Sequence, residues 1–326
     1  MPATILDIAA KAQLNPSTVS RALRNDSRIR PNTVARIQRI ARELNYMPNR
    51  AARQLTTGKT GLVALCTGML DYEYLTPVAL ALSQELEKHD YLLTVLPNTH
   101  GDRNFLRMMN LLSQRFCDAA VLFSPHIQPD NLPELKQLQD RHFPLVCIDQ
   151  WLANYPFPGV TNNAEESIRL LGERMCQHNI NAAALYFPAE NTTSLFRRRS
   201  ATQFLQDKGI PFVTTLEEIP ALLQKHPHAN FGFFADNPAQ HPIDQYLREN
   251  PPACCIGGMF DSWKFDAPKC YTAIYLCIQD AFAHGLAAGK YILQMLEGKA
   301  DDIPPVTYIP PREIIVPRLG DFHEKH

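Results

Sequence analysis

The side chains best equipped for chemistry crowd the start of this chain. Its first sixty residues hold 11 Lys and Arg against 3 Asp and Glu, whereas the remaining 266 hold 21 against 30. A head of about +8 joined to a body of about −9 cancels to a formal net charge of −1. Asymmetry of this size points to a basic module that meets a polyanion, carried by an ordinary acidic globular body. With 326 residues, 45% of them hydrophobic, more than one domain is expected.

Catalytic and metal chemistry find little footing. Gly257-Gly258 is the one adjacent glycine pair, and neither Gly-x-x-x-x-Gly-Lys nor Gly-x-Gly-x-x-Gly occurs, so a sugar kinase with a DNA-binding head lacks its phosphate loop. Gly-x-Ser-x-Gly and His-Glu-x-x-His are absent too. Eight cysteines, at 66, 117, 147, 176, 254, 255, 270 and 277, form no Cys-x-x-Cys and meet no His at zinc-ligand spacing. They read as buried, reduced thiols, with no metal and no cofactor expected. The start Met1-Pro2-Ala3-Thr4 has no signal-peptide character and no eighteen apolar residues run together, so a cytoplasmic protein with no membrane partner is expected. The sequon Asn191-Thr192-Thr193 then carries no weight.

The basic residues need a scaffold, and local signals supply one. Thr4 with Asp7 makes a capping-box-like start, after which Ile5, Ile8, Ala9 and Ala12 fall at helical spacing as far as Gln13-Leu14. Asn15 can cap a second helix with Pro16 in its first position and Val19, Ala22 and Leu23 on its inner face. A third helix begins at Pro31 and buries Val34, Ile37, Ile40, Ala41 and Leu44. Three short helices so spaced describe a helix-turn-helix whose second helix enters the major groove. Pattern and charge alone also fit a small helical cap with a solvated basic face.

The wording of the segment adds to this. Thr4-Ile5-Leu6-Asp7-Ile8-Ala9, Ser17-Thr18-Val19-Ser20-Arg21-Ala22-Leu23 and Asn45-Tyr46-Met47-Pro48-Asn49-Arg50-Ala51-Ala52-Arg53-Gln54-Leu55 resemble the head of the lactose-repressor (LacI) family of bacterial transcription regulators. The resemblance implies that Pro16, Ser17 and Arg21 read bases. Arg21 can fork onto guanine O6 and N7, Pro16 offers only apolar contact, and Ser17 is an adaptable donor or acceptor. Thr18, Ser20, Asn25 and Arg28 are placed to hold phosphates. Gln13 stands where the family usually has Gly, which leaves the turn geometry open. Asn49 to Thr57 resembles the hinge helix that folds on operator DNA, with Leu55 as its minor-groove wedge, Ala51 and Ala52 small enough for two hinges to approach, and Asn49 and Arg53 among its DNA contacts.

Behind the head, apolar runs at Leu62–Cys66, Tyr91–Leu96, Ala119–Phe123, Leu145–Ile148, Ala183–Phe187, Phe231–Phe234 and Cys254–Ile256 alternate with helical stripes such as Val78, Leu82, Leu86 and Leu106, Met109, Leu112. Such alternation predicts βαβ units and parallel sheets. The fold class is therefore α/β: an all-α helix-turn-helix head on a body of two parallel-sheet subdomains, which resembles the periplasmic-binding-protein-like body of the same family. The expected domains are 1–47, a hinge and linker over 48–60, and a body over 61–326. The body divides roughly into 61–159 plus 280–307 and 160–279 plus 308–326.

The resemblance places an effector between the subdomains, with Tyr74, Asp149, Asn163, Arg197, Asp236, Asp261 and Gln279 as its contacts. Arg donors and Asp acceptors suit a polyol, and Trp151, Phe196 or Trp263 could stack on a ring, although core packing is the favoured account of the two tryptophans. Phe143 to Asp149 and Ser194 to Arg197 look most like the fructose-repressor (catabolite repressor/activator) branch, which implies a sugar phosphate. Arg197, Arg198 and Arg199 would suit an anion, while Asp149, Asp236 and Asp261 would favour a neutral sugar. The expected partners are operator double-stranded DNA, a sugar or sugar phosphate, and a second copy of the chain. No heptad pattern follows Leu319, so a dimer rather than a tetramer is expected. The expected function is that of a regulator that silences carbohydrate genes in a bacterial cytoplasm, and not that of an enzyme.

Overall fold

The computed structural model describes residues 3–47, 54–55, 57–68, 70, 73–97, 102–123, 132–149, 157–188, 192–236, 242–250, 252, 254–260 and 271–315. Pro48, Asn49, Ala51, Ala52, Arg53, Tyr72, Gln150, Trp151, Asn191, Asn237, Asp261, Trp263, Cys270 and the chain after Leu319 lie outside them. The protein forms two compact units, residues 1–60 and 61–326.

The head holds α1 (Ile5–Ala12), α2 (Pro16–Leu23) and α3 (Pro31–Glu43). Thr4 and Asp7 form the reciprocal capping box, and the Asn15 side chain accepts from the Ser17 amide at 2.9 Å. Ile8, Val19, Ala22 and Ile37 close a core of their own. Gln13 ends α1 in the left-handed conformation, at φ 52°, with its amide turned back to the carbonyls of Ala9 and Ala10. The turn therefore keeps the shape that glycine would give it, at the expense of a Cβ in a crowded region.

The body is built on two six-stranded sheets. The first runs β11-β5-β4-β3-β1-β2, made of β1 (Leu62–Thr67), β2 (Leu92–Pro97), β3 (Ala119–Phe123), β4 (Leu145–Ile148), β5 (Gly159–Asn162) and β11 (Val306–Ile309), all parallel. The second runs β12-β10-β9-β8-β6-β7, made of β6 (Ala182–Tyr186), β7 (Phe212–Val213), β8 (Asn230–Ala235), β9 (Cys254–Phe260), β10 (Ala273–Gln279) and β12 (Pro311–Ile315). Only β12 runs antiparallel to its neighbour.

Helices cover both faces of each sheet, which is why central strands such as β3 and β4 are buried along their whole length. On the first sheet, α4 (Leu75–Glu87) and α11 (Ala281–Leu296) pack through Val78, Leu82, Ala288 and Ile292, and α5 (Asp102–Ser113) and α6 (Leu132–Asp140) cover the opposite face. On the second, α7 (Ala164–Cys176) and α8 (Thr192–Asp207) face α9 (Ile219–Lys225) and α10 (Pro242–Glu249) across the strands. No helix among the described residues is long and apolar enough to cross a membrane.

Three expectations change in detail. The chain passes between the sheets after Asn162 and between Ile309 and Pro311, two to three residues beyond the expected boundaries, because β5 and β11 pair with each other and carry the first sheet further. In α5 the inward stripe is Phe105, Met108, Met109 and Leu112, while Leu106 faces solvent. A helix advances 100° per residue, so an apolar residue one position off the stripe points away from the sheet. The short strands β5, β7, β11 and β12 and the longer β10 were not among the expected runs. Cys66, Cys117, Cys147, Cys255 and Cys277 are buried free thiols, and burial pushes Cys147 up to about 12, so it is inert.

Candidate nucleic-acid interface and effector site

The second head helix turns Val19 and Ala22 inward, and that choice fixes what it shows outside. Pro16, Ser17 and Arg21 are exposed, with Ser17 and Arg21 one turn apart, while Thr18 and Ser20 are half-buried at its flanks. Asn15 holds both the amide and the hydroxyl of Ser17, at 2.9 and 2.8 Å, so the start of the reading surface is fixed before any partner arrives. Asn25 takes a left-handed turn at φ 56° beyond the helix, and its Oδ1 accepts from Gln38 at 2.8 Å. Its amide nitrogen is therefore the end left to meet a phosphate.

Arg28 is differently placed from the sequence expectation. It forks onto Asp26, from Nε at 2.9 Å and a terminal nitrogen at 2.6 Å, and these bonds hold the Asp26 carboxyl well below its usual range. A phosphate at Arg28 would have to compete with that carboxylate. Leu55 is 89% exposed in a helical stretch, and Gly58 donates to the Gln54 carbonyl at 2.8 Å. A leucine left so bare is not packed into a core among the described residues. Asn49, Ala52 and Arg53 lie outside the described residues.

In the body, the candidate effector residues gather at the carboxyl ends of strands, where open α/β sheets bind ligands. Asp149 follows β4, Asp236 follows β8, and Gln279 ends β10, buried. Arg197, buried on α8, bonds Asp236 at 2.6 Å, and Ser194 donates to the other carboxylate oxygen. The Arg197 guanidinium also lies 4.0 Å from the centre of the Phe260 ring. Asp149 has a left-handed backbone at φ 62°; its Oδ1 accepts from Asn162 at 2.8 Å and its carbonyl from Thr193 at 3.2 Å. That last bond ties the first sheet to the start of α8, one turn before Arg197.

Two residues occupy roles other than those expected. Tyr74 is buried against Phe123 and His284, at 5.7 Å between ring centres in each case, rather than displayed at a rim. Asn163 caps α7, its side chain accepting from the Glu166 amide at 3.1 Å. The run Arg197 to Arg199 also fails to converge. Arg199 lines a groove of about 660 Å³ along α7 and α8, with Arg169, Phe196, Phe204, Tyr308 and the candidate Asn163, and it reaches the strand-end residues only through Asn162. Neither Asp149, Arg197, Asp236 nor Gln279 lines that groove. Asp261, Trp151 and Trp263 lie outside the described residues. Sequence reasoning passed over Asn162, Phe260 and His284, since a lone amide, aromatic or imidazole in an apolar run carries no local signal.

Residues 4–49 match the family described as bacterial regulatory proteins, lacI family. The HTH-type transcriptional regulator AglR of Rhizobium meliloti (strain 1021) is 28% identical over 248 residues, which cover 73% of this chain and 68% of AglR. The catabolite repressor/activator of Escherichia coli (strain K12) is 25% identical over 207 residues, 62% of this chain and 59% of that protein. Among solved structures, the lac repressor dimer bound to operator and the anti-inducer ONPF has a similar fold, with a TM-score of 0.73 at 18% identity over 97% of this chain and 98% of that one.

Proposed function

We propose that the head of this chain is a lacI-family DNA-binding domain and that the whole is a transcription regulator, which represses genes of carbohydrate metabolism from a pseudo-palindromic operator. The observation that carries the reading is the outer face of α2. Ser17 and Arg21 stand exposed one turn apart on a helix whose inner residues are locked, in a head with about eight excess positive charges. Pro16, Ser17 and Arg21 meet base edges, Thr18, Ser20 and Asn25 set register on phosphates, and Leu55 enters the minor groove beside Asn49, Ala52 and Arg53.

One short helix reads too few base pairs for specificity, so the operator is bound by a homodimer. Leu80 on α4 and Leu92 and Val95 on the edge strand β2 are exposed apolar residues that a second copy would cover. A sugar or sugar phosphate held at the strand ends around Asp149, Arg197, Asp236, Asp261 and Gln279 then sets the affinity for DNA. Tyr74 backs that site, whereas Asn163 caps α7 and lines the groove beside Arg199. Nothing in this scheme calls for catalysis, and the relatives are regulators.

Selection of bound duplexes from a random library by the full chain tests the reading. Two symmetric half-sites are expected, with binding that falls steeply as salt rises. Arg21→Ala should relax one position by about 1–3 kcal/mol. Equal weakening on every sequence would sink the assignment of Arg21, and a monomer in sedimentation at micromolar concentration would sink the dimer.

A further inference from the structure

Three acids stand in the basic head. Asp7 closes the capping box of α1, Glu43 at the end of α3 takes Lys11 at 2.8 Å, and Asp26 lies in the turn that follows α2. The placement of Asp26 is electrostatically adverse twice over. Its amide bonds the Arg21 carbonyl at 3.1 Å, so its carboxylate stands at the carboxyl end of the reading helix, where the helix dipole disfavours an anion. It also stands between Asn25 and Arg28, in a turn offered to phosphate, which disfavours an anion again.

What the carboxylate gains there is Arg28. Its Oδ1 accepts from the Arg28 amide at 3.0 Å and from Nε at 2.9 Å, while Oδ2 accepts from a terminal nitrogen at 2.6 Å. These bonds, with a smaller push from the charge of Arg21, keep the carboxylate ionised. The Asp26 side chain is 16% exposed and that of Arg28 72%, so the carboxylate is covered and solvent meets the guanidinium. A planar fork between residues two apart has a geometry that ordinary surface ion pairs lack.

We propose that Asp26 is a specificity-determining residue of the head, which withholds the Arg28 guanidinium from phosphate on DNA of any sequence. The inference rests on the DNA-binding reading above and goes beyond it. Binding to random DNA comes almost wholly from cations on phosphates, so one guanidinium withheld removes one contact. On random sequence the head can slide until a free guanidinium finds a phosphate, whereas at an operator the base contacts of Arg21 fix the register. Withholding Arg28 therefore weakens the random complex more than the operator complex, and the ratio of the two affinities rises. The opposite use of such a pair is a buttress, with Asp26 aiming the outer edge of Arg28 at a phosphate. Charge argues against that, because a phosphate at the outer edge also meets the carboxylate behind it.

Asp26→Asn isolates the charge, since the asparagine oxygen still accepts from the Arg28 amide and keeps the turn. Fluorescence anisotropy with a random duplex and with the library-selected operator, over a range of salt, compares the full chain with Asp26→Asn, Arg28→Gln and the double variant. On the random duplex at about 100 mM salt, Asp26→Asn should bind about fivefold more tightly for each head engaged, with the slope of log K against log salt steeper by about 0.9 per head. The operator should gain less. Arg28→Gln alone should leave the slope unchanged, and the double variant should return it to the wild-type value. A shallower slope in Arg28→Gln would mean that Arg28 already sits on phosphate, which overturns the proposal. A gain from Asp26→Asn of the same size with and without Arg28, the result of net charge alone, overturns it too, as does an equal gain on the operator. Circular dichroism melting checks that the variants fold; were Asp26→Asn to unfold the head, the slope of Arg28→Gln still decides. Failure of the wild-type chain to bind any duplex overturns the DNA reading with it.

Discussion

Replacing Gln13 with glycine should make the head more stable, which is the reverse of what most substitutions do. Gln13 sits at φ 52° and ψ 44°, and the turn is closed by bonds from its own amide to Ala10 at 3.2 Å and from Leu14 to Ala9 at 3.1 Å. Those bonds belong to the backbone and survive the change. A Cβ in the left-handed region costs about 1–2 kcal/mol, and glycine returns about 0.5–1 of it through its freedom in the unfolded chain. The difference is about 0.5–1 kcal/mol in favour of Gln13→Gly. Amide exchange of α1 to α3 in the full chain measures it directly, and the slowest amides should exchange about two to five times more slowly. Asn25 and Asn45 also have positive φ, yet asparagine tolerates that region, so glycine at those positions should gain less. Unchanged or faster exchange in Gln13→Gly would show that the turn is unstrained or that the glutamine side chain holds it.

The body offers two sharp tests and the head one more. Asp236→Ala removes the carboxylate that holds a buried guanidinium and should cost about 3–5 kcal/mol in urea unfolding of the body, most of it recovered when Arg197→Met is added; a loss below about 1 kcal/mol would mean that other groups or water take over the guanidinium. Gly285→Ala places a Cβ 2.3 Å from the Val78 carbonyl oxygen, so α4 and α11 must part at a cost of about 1–3 kcal/mol or more, whereas Gly289→Ala, whose nearest neighbour is Glu85 Cβ at 3.1 Å, should cost less; equal melting of the two variants would refute the close approach. Bonds to Thr4, Arg28 and Lys11 hold Asp7, Asp26 and Glu43 below their ordinary pKa values. Their contribution is complete above about pH 4 and is lost as pH falls through the lowered values, so head amides should lose protection in acid, and less steeply in Asp7→Asn.

Much of the head was legible because its signals are local. Thr4 with Asp7, Asn15 with Pro16, and Pro31 act within one turn, so their residue types suffice to place three helices. The central strands were legible for a related reason: a strand covered on both faces must be apolar at every position, as Ala119–Phe123 is. Strands β5 and β11 offered no such run. Gly159–Asn162 and Val306–Ile309 are short, and they become strands by pairing over long distances: β5 lies between β4 and β11, and β11 takes its hydrogen bonds from β5, almost 150 residues away.

The same division separates the residues of the effector site. The carboxylates could be placed from sequence, since residues that follow strands reach the same edge of a sheet. Their partners could not. Three consecutive arginines look like one cationic cluster, but successive helix residues point 100° apart, so Arg197 meets Asp236 inside while Arg199 lines a different groove. His284 has no sequence context that separates it from a packed core residue. It stands beside Asp149 only because α11 lies across the first sheet and sets its Nε2 4.0 Å from that carboxylate, a pairing of residues 135 positions apart. Residue type and period decide which face of an element is buried; which groups meet across two elements depends on long-range packing, to which no local pattern is coupled.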